Sequence, residues 1–338
     1  MATYKGIKGY KVQSLASDPT ISENVGQVWY NTAGKVLKYN IEGPGAWAAG
    51  GDLTAGKTGM GGAGTQTAAL SFAGYYYPGG PVATVEKYDG STWTEVSNVN
   101  SAVYRMGAAG LQTSALKFGG FPHPPSTSVD TEKYDGTTWT EANDMIIGRG
   151  ANSGLGTQIA ALCVGGQLLT PASPTDLVEQ FDGTSWTEVG NLQTTREENA
   201  CAGTTTAGLT FGGKAGPQVP PPFSVCDFSE EYDGTSWTEG NDLNTGRKDY
   251  GGAGTQTAAL AVGGFAPPLT LANVEQYNGT SWSEVADLAA ATYAGRCAQL
   301  GTTAASLYFG GATPATQNTV ATEEWNEPVL SVKTVTTS

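Results

Sequence analysis

The chain has 338 residues, 48 of them glycine, with 14% charged residues and a formal net charge of −14. Glycine is about twice its usual share and charge well below the usual quarter, a composition of short strands and tight turns, and the acidity argues against a nucleic-acid backbone as partner. No apolar run approaches the length of a membrane span, and no apolar core follows the N-terminal lysines as a secretory signal would require.

Residues 1–26 lack any repeat and are expected to form an arm, with Lys5, Lys8 and Lys11 as its attachment residues. With Lys35 and Lys38 set against Asp18 and Glu23, residues 1–40 are net +3, which leaves the rest of the chain at −17. Residues 27–45 read as a β-hairpin: an apolar-polar alternation through 26–31, a turn at Thr32–Gly34, and a second alternation at 35–40.

From residue 46 the chain repeats. Trp47, Trp93, Trp139, Trp186, Trp237 and Trp282 are 46, 46, 47, 51 and 45 residues apart, and the last five close the phrases EKYDGSTWTE, EKYDGTTWTE, EQFDGTSWTE, EEYDGTSWTE and EQYNGTSWSE. A fixed period of this length is the mark of a repeat architecture. Residues that recur in every unit usually build the fold, so function is sought where the units differ.

Each unit carries four strand signals. In 105–142 they are a small-residue run (RMGAAGLQ), an apolar run ended by a glycine pair (ALKFGG), an alternating DTEKYD, and TWTEA. Asp-Gly or Asn-Gly between the third and fourth, at 89–90, 135–136, 182–183, 233–234 and 278–279, predicts a two-residue hairpin with both central residues at positive φ. Small residues in the first strand allow close backbone approach, and the Tyr, Phe and Trp of the outer strands supply the bulk between units, each ring burying about 150–250 Å². Four antiparallel strands per unit predict the blade of a β-propeller.

Second strands at 72–74, 119–120, 165–166, 212–213, 263–264 and 310–311 make six units. The sixth is incomplete, because Asn326-Glu327-Pro328 follows Trp325 in place of a turn and a Trp strand. Ala46–Ala49, around Trp47, is the expected fourth strand that closes the ring, with the C-terminal run Val329–Val335 as the rival. The expected fold is therefore all-β: a six-bladed propeller over 46–328, with an N-terminal arm and hairpin and a tail strand at 329–338.

The glycine pair, the Tyr-Asp and the later Trp resemble the Kelch motif, over roughly residues 36–326. WD40 repeats have similar length, but the Gly-His and Trp-Asp pairs that mark them do not occur. The stretch GQVWYNT…LKYN followed by a Trp, at 26–47, resembles attachment ends of tailed-phage virion proteins, and GTQTAALxxGG…YDGTSWTE resembles Kelch repeats of marine phage and bacterial sequences. These resemblances imply a non-enzymatic virion structural or adhesion protein located in a tail fibre, tail or capsid decoration. They imply other virion proteins as partners of the arm, a host-surface glycan or protein at the loops, and homo-oligomers in the assembly as an open option. The alternative is a bacterial Kelch-repeat interaction protein of the cell surface or cytoplasm.

Little in the chain suggests chemistry. His123 is the single histidine, which removes Ser-His-Asp triads and multi-His metal sites, including the two-His copper site of the Kelch-like copper oxidases. No cofactor or metal is expected. Cys163, Cys201, Cys226 and Cys297 have no CxxC spacing; a Cys201–Cys226 disulfide stays open. The repeated Glu86, Glu132, Glu179, Glu230, Glu275 and Glu323 are expected to pair with bases ahead of the first strand: Lys57, Arg105, Arg149, Arg196 and Arg247, each eight residues before a recurring Thr. The sequon at Asn278 coincides with the hairpin turn and is read as that turn.

Variation concentrates after the glycine pair, in 75–83, 121–129, 167–177, 214–228, 265–273 and 312–320, which hold 14 of the 17 prolines. Loops between the second and third strands should leave on one face. Stiff loops carrying aromatics on a rigid scaffold are a usual place for recognition. The candidate ligand- or partner-binding residues are Tyr75, Tyr76, Tyr77, Phe121, His123, Phe223 and Phe265.

Overall fold

The computed structural model describes residues 12–18, 28–42, 45–123, 126–216, 224–327 and 330–335. The chain is all-β and divides into two compact units, Met1–Gly45 with Glu327–Ser338, and Ala46–Asn326.

In the first unit Val28–Asn31 and Val36–Glu42 form the expected hairpin, its turn tightened by Gly34 N–H donating to Asn31 Oδ1 at 2.7 Å. Two strands join it. Leu330–Thr334 pairs antiparallel with Val36–Glu42, so the C-terminal run extends the hairpin sheet and is not the missing strand of the sixth repeat. Gln13–Leu15 pairs in parallel with Val28–Asn31, so part of the expected arm is a sheet strand. Asp18 gathers this corner: it accepts from Trp29 Nε1 at 3.3 Å, Asn31 Nδ2 at 2.8 Å and Lys38 Nζ at 2.7 Å, and the Lys38 bond above all holds its carboxyl below the usual range. Lys5, Lys8 and Lys11 lie outside the described residues.

The second unit holds six four-stranded antiparallel sheets. Their first strands are Gly61–Thr65, Gly107–Leu111, Ser153–Thr157, Ala200–Thr204, Gly251–Thr255 and Arg296–Cys297. In five sheets the strands follow chain order; in the sixth, Thr322–Asn326 takes Ala46–Ala49 as its outer partner, with Trp325 opposite Trp47 and their rings 5.6 Å apart. Each first strand lies against that of the next sheet, and Arg296–Cys297 lies against Gly61–Thr65. The approach is too close for side chains. A Cβ on Gly154 would sit 2.2 Å from the Ala108 carbonyl oxygen, and one on Gly62 2.4 Å from that of Cys297.

At four of the six junctions between sheets the packing is aromatic, while Trp237 packs with Val164 and Trp325 with Val262. Trp139 meets Phe72 at 5.0 Å, Trp186 meets Phe118 at 4.9 Å, Trp282 meets Phe211 at 4.8 Å and Trp93 meets Phe309 at 5.0 Å, each outer Trp lying on the second strand of the preceding sheet. The sixth sheet supplies Phe309 for the first, so the same contact joins the last repeat to the beginning.

The Asp-Gly turns differ from expectation. Tyr88 pairs with Trp93, leaving a four-residue loop in which Gly90 has positive φ and Asp89 does not. The Asp89 carboxylate accepts the N–H groups of Ser91 at 2.9 Å and Thr92 at 2.8 Å. This side-chain mimic of a backbone turn recurs at Asp135, Asp182 and Asp233, and at Asn278, whose amide oxygen accepts from Thr280 and Ser281, both at 2.9 Å. The amide donors of Thr92 and Ser91 pull the Asp89 pKa down to about 2.

The repeated glutamates are buried structural groups. Each accepts at least one backbone N–H from the segment arriving from the preceding sheet, as Glu132 does from Asn100 at 2.7 Å and Ser101 at 3.0 Å and Glu86 from Thr54 at 2.6 Å. Arg149, Arg196 and Arg247 pair with Glu179, Glu230 and Glu275 as expected, and Lys57 stands 3.7 Å from Glu86. Arg105 does not pair with Glu132. The second sheet's first strand ends at Leu111, two residues before Thr113, so Val103 occupies the base position and Lys117, from the second strand, reaches Glu132 instead. In the sixth sheet Thr292 stands at that position, and burial raises the Glu323 pKa. All four cysteines are free buried thiols, so Cys201 and Cys226 are not bridged; burial pushes Cys163 up to about 11 and Cys297 to about 12.

Candidate functional site

Two residues beyond each base position the backbone turns left-handed. Gly59, Arg105, Ala151, Glu198, Asp249 and Ala294 have φ of 55, 53, 51, 57, 53 and 55°. For a residue with a Cβ this conformation costs of order 1 kcal/mol or more. It is sustained by amides that link one sheet to the next. Gly59 N–H donates to Ala294 O at 2.8 Å, Arg105 to Gly59 at 2.7 Å, Glu198 to Ala151 at 2.8 Å, Asp249 to Glu198 at 3.1 Å and Ala294 to Asp249 at 2.6 Å.

The residue before each of these positions pairs with the first residue after the glycine pair: Thr58 with Tyr75, Tyr104 with Phe121, Gly150 with Gln167, Glu197 with Lys214, Lys248 with Phe265 and Tyr293 with Ala312. No two units carry the same pair, although Tyr recurs at the first position and Phe at the second, whereas the sheet positions barely change. The fold thus collects the variable residues beside the linked left-handed turns.

Two kinds of group result. One is a charge cluster. Arg105 donates to Glu198 and, at 2.9 Å, to Asp249; Lys248 reaches Glu198 at 2.6 Å, and Lys214 reaches Glu197 at 2.6 Å. Burial works against each charge, but Asp249 and Glu198 more than offset it for Arg105, whose pKa is raised, and Arg105 with Lys248 does so for Glu198, whose pKa is lowered. Asp249 is buried deeply enough that its pKa stays raised despite Arg105. The cluster pairs three cations with three carboxylates, so its charges are largely spent on one another.

The other is aromatic. Tyr75 and Tyr104 meet edge-on at 5.1 Å, Tyr104 and Phe121 at 5.4 Å, and Phe265 and Tyr293 at 5.7 Å, with Lys248 Nζ 6.0 Å over the Phe265 ring. Tyr75, Tyr77, Tyr104, Arg105, Tyr293 and Gln317 line an open cleft of about 320 Å³. Deeper, between first strands, a cavity of about 30 Å³ is lined by Asn152, Asn199 and Gln299, whose amide oxygens have no protein partner. It is polar and about the size of one water molecule.

The expected site residues fare differently. Tyr76 and Tyr77 are 47% and 55% exposed, and Tyr75 is half-buried at the cleft. Phe265 is half-buried against Tyr293, and His123 is exposed, its carbonyl accepting from Ser126. Phe121 is 6% exposed: it supports Tyr104 from beneath and offers no surface of its own. Phe223 lies outside the described residues. Tyr104, Arg105 and Tyr293 lie ahead of the first strands, outside the loops that follow the glycine pair, and so were missed; Gln317 lies within one of those loops, 312–320, but is not aromatic. The signal was there in the strong variation of the residue just before the left-handed position.

Among the described residues, no group of three or more His, Cys, Asp or Glu side chains is arranged to hold a metal ion, and no helix is long and apolar enough to cross a membrane. No protein-family model matches the chain, and no curated protein matches it.

Proposed function

We propose that Ala46–Asn326 is a six-bladed Kelch-type β-propeller closed by its N-terminal strand, and that the protein is a non-enzymatic structural or adhesion component of a phage virion that binds a host-surface glycan or protein through its variable loop face. The succession of first-strand contacts that returns from Arg296–Cys297 to Gly61–Thr65, the Trp93–Phe309 contact and the pairing of Ala46–Ala49 with Thr322–Asn326 support the closed ring.

One observation carries the functional reading: positions that vary between units are collected at one place, beside a scaffold whose repeated residues are committed to sheet, turn and buried ion pair. Such a division lets a binding face change without disturbing the fold. The repeated carboxylates are engaged by backbone amides and bases, which supports a scaffold role over acid-base catalysis. In this reading Lys5, Lys8 and Lys11 attach the chain to the particle, and the loop face points outward.

Cross-linking mass spectrometry of purified particles tests it. Links from Lys5, Lys8 or Lys11 to other virion proteins are expected. Links confined to loops 121–129 and 214–228 would reverse the orientation, and absence of the chain from purified virions would favour the bacterial interaction protein.

A further inference from the structure

We propose that the cleft between Tyr75, Tyr77, Tyr104 and Tyr293 is a binding site for an uncharged saccharide, an inference that rests on the binding-face reading above and narrows it to one site and one ligand class.

The rings are presented rigidly. Tyr77 is more than half exposed, yet its backbone is clasped on both sides by one amide: Tyr77 N–H donates to Asn318 Oδ1 at 3.1 Å, and Asn318 Nδ2 donates to Tyr77 O at 2.7 Å. Asn318 belongs to the corresponding loop of the sixth sheet, so the first and last loops hold each other. Tyr75 is fixed by its two-way backbone pairing with Thr58 and by the edge-on contact with Tyr104, which Phe121 supports. Tyr293 is fixed in the same way by Ala312 and by Phe265. A large exposed aromatic whose backbone is already held loses little entropy when it binds, and preorganisation of this kind favours affinity.

The chemistry of the lining selects the ligand. Its one charged side chain, Arg105, is 30% exposed and has both terminal nitrogens on carboxylates, Glu198 and Asp249. An anion would have to compete with two buried carboxylates, and a cation would meet a guanidinium. What remains are tyrosine faces, tyrosine hydroxyls and the Gln317 amide, which together offer apolar area, donors and acceptors without net charge. A pyranose ring has the complementary surface, with C–H groups on a face and hydroxyls around the edge. Main-chain groups of Thr58, Tyr75, Tyr293 and Ala312 at the rim are already paired with one another, which leaves an extended peptide few backbone partners for strand addition. The volume, about 320 Å³, lies at the lower end of the roughly 300–1,000 Å³ of small-molecule sites and suits one or two sugar rings.

Saturation-transfer NMR on the full chain, with methyl glycosides of gluco, galacto, manno and N-acetylglucosamine configuration, tests the assignment. At least one should receive saturation with a Kd of about 1 mM or tighter, and transfer should fall roughly tenfold or more in Tyr77→Ala and in Gln317→Ala. Both residues are exposed, so thermal unfolding of the variants should match the parent. The proposal is overturned if no glycoside receives saturation, if transfer survives in both variants, or if a proline-rich peptide is the probe that binds and those substitutions abolish it. Glycoside binding by a chain absent from virions would sink the virion assignment and leave this site standing.

Discussion

Arg247→Met tests the buried ion pairs that recur through the second unit. The Arg247 guanidinium is fully buried and donates to Gly263 O at 3.0 Å, Asn273 O at 2.7 Å and Glu275 Oε1 at 2.5 Å, and its Nε to Thr245 O at 3.3 Å. Methionine fills much of the same volume but leaves three carbonyls without this donor and Glu275 without its countercharge. Removing one member of a buried pair typically costs about 3–5 kcal/mol, and each carbonyl that loses its donor adds about 1 kcal/mol unless water reaches it. Glu275 keeps the N–H groups of Asn244 at 2.7 Å and Thr245 at 3.2 Å, which soften the loss. With the retained amides taken to offset the lost carbonyl bonds, the expected destabilisation is about 4 kcal/mol, read from urea unfolding followed by tryptophan fluorescence. Because the damage is mainly an uncompensated carboxylate, Arg247→Met with Glu275→Gln should be more stable than Arg247→Met alone, by about 1–2 kcal/mol. A single-variant loss below about 1 kcal/mol, or a double variant that loses the sum of the two singles, would refute the reasoning.

Other outcomes follow from single contacts. The folded pKa of Asp89 lies at about 2, and those of Asp135, Asp182 and Asp233 are also lowered, all below their unfolded values; their stabilisation is complete above the unfolded pKa of about 4 and is lost as pH falls through the folded values. Asn278 makes the same two bonds without titrating, so replacing all four aspartates by Asn should keep the fold at neutral pH and flatten the acid limb of the urea midpoint; an unchanged acid limb would mean the turns do not set it. Trp139→Ala should cost about 3–5 kcal/mol, since the ring lies 5.0 Å from both Phe72 and Tyr134, and a loss under about 1 kcal/mol would show that it is not core. Trp186 Nε1 donates to Thr131 and Trp93 Nε1 to Thr322, but Trp139 Nε1 is unpaired because Val85 holds that place; Val85→Thr should therefore stay within about 1 kcal/mol of the parent in chemical denaturation, where a buried hydroxyl without a partner would cost about 1–3 kcal/mol.

Local pattern determined the elements. The spacing of Trp93, Trp139, Trp186, Trp237 and Trp282, the glycine pairs and the alternation of the third strands are properties of a few consecutive residues, and they sufficed for the four strands of each repeat, the number of repeats and the missing strand that Ala46–Ala49 supplies, but not for the strand Gln13–Leu15. The pairing of Glu179, Glu230 and Glu275 with Arg149, Arg196 and Arg247 was also legible, because the bases recur at a fixed spacing ahead of the first strand. What tertiary structure alone decided were partners chosen across sheets. Arg105 and Arg149 look alike in sequence, but a two-residue difference in where the following strand ends places Arg105 at the left-handed turn, among Glu198 and Asp249, and hands Glu132 to Lys117. Asp89 and Gly90 read as a two-residue hairpin, until the carboxylate's bonds to Ser91 and Thr92 made a four-residue loop the better satisfied turn. Phe121 and Tyr77 follow the same glycine-ended strands, yet one is buried beneath Tyr104 and the other is held in the open by Asn318, 241 residues away. Periodicity encodes which face of an element is apolar; it carries no information about which distant side chain will meet it, and the cleft is made wholly of such meetings.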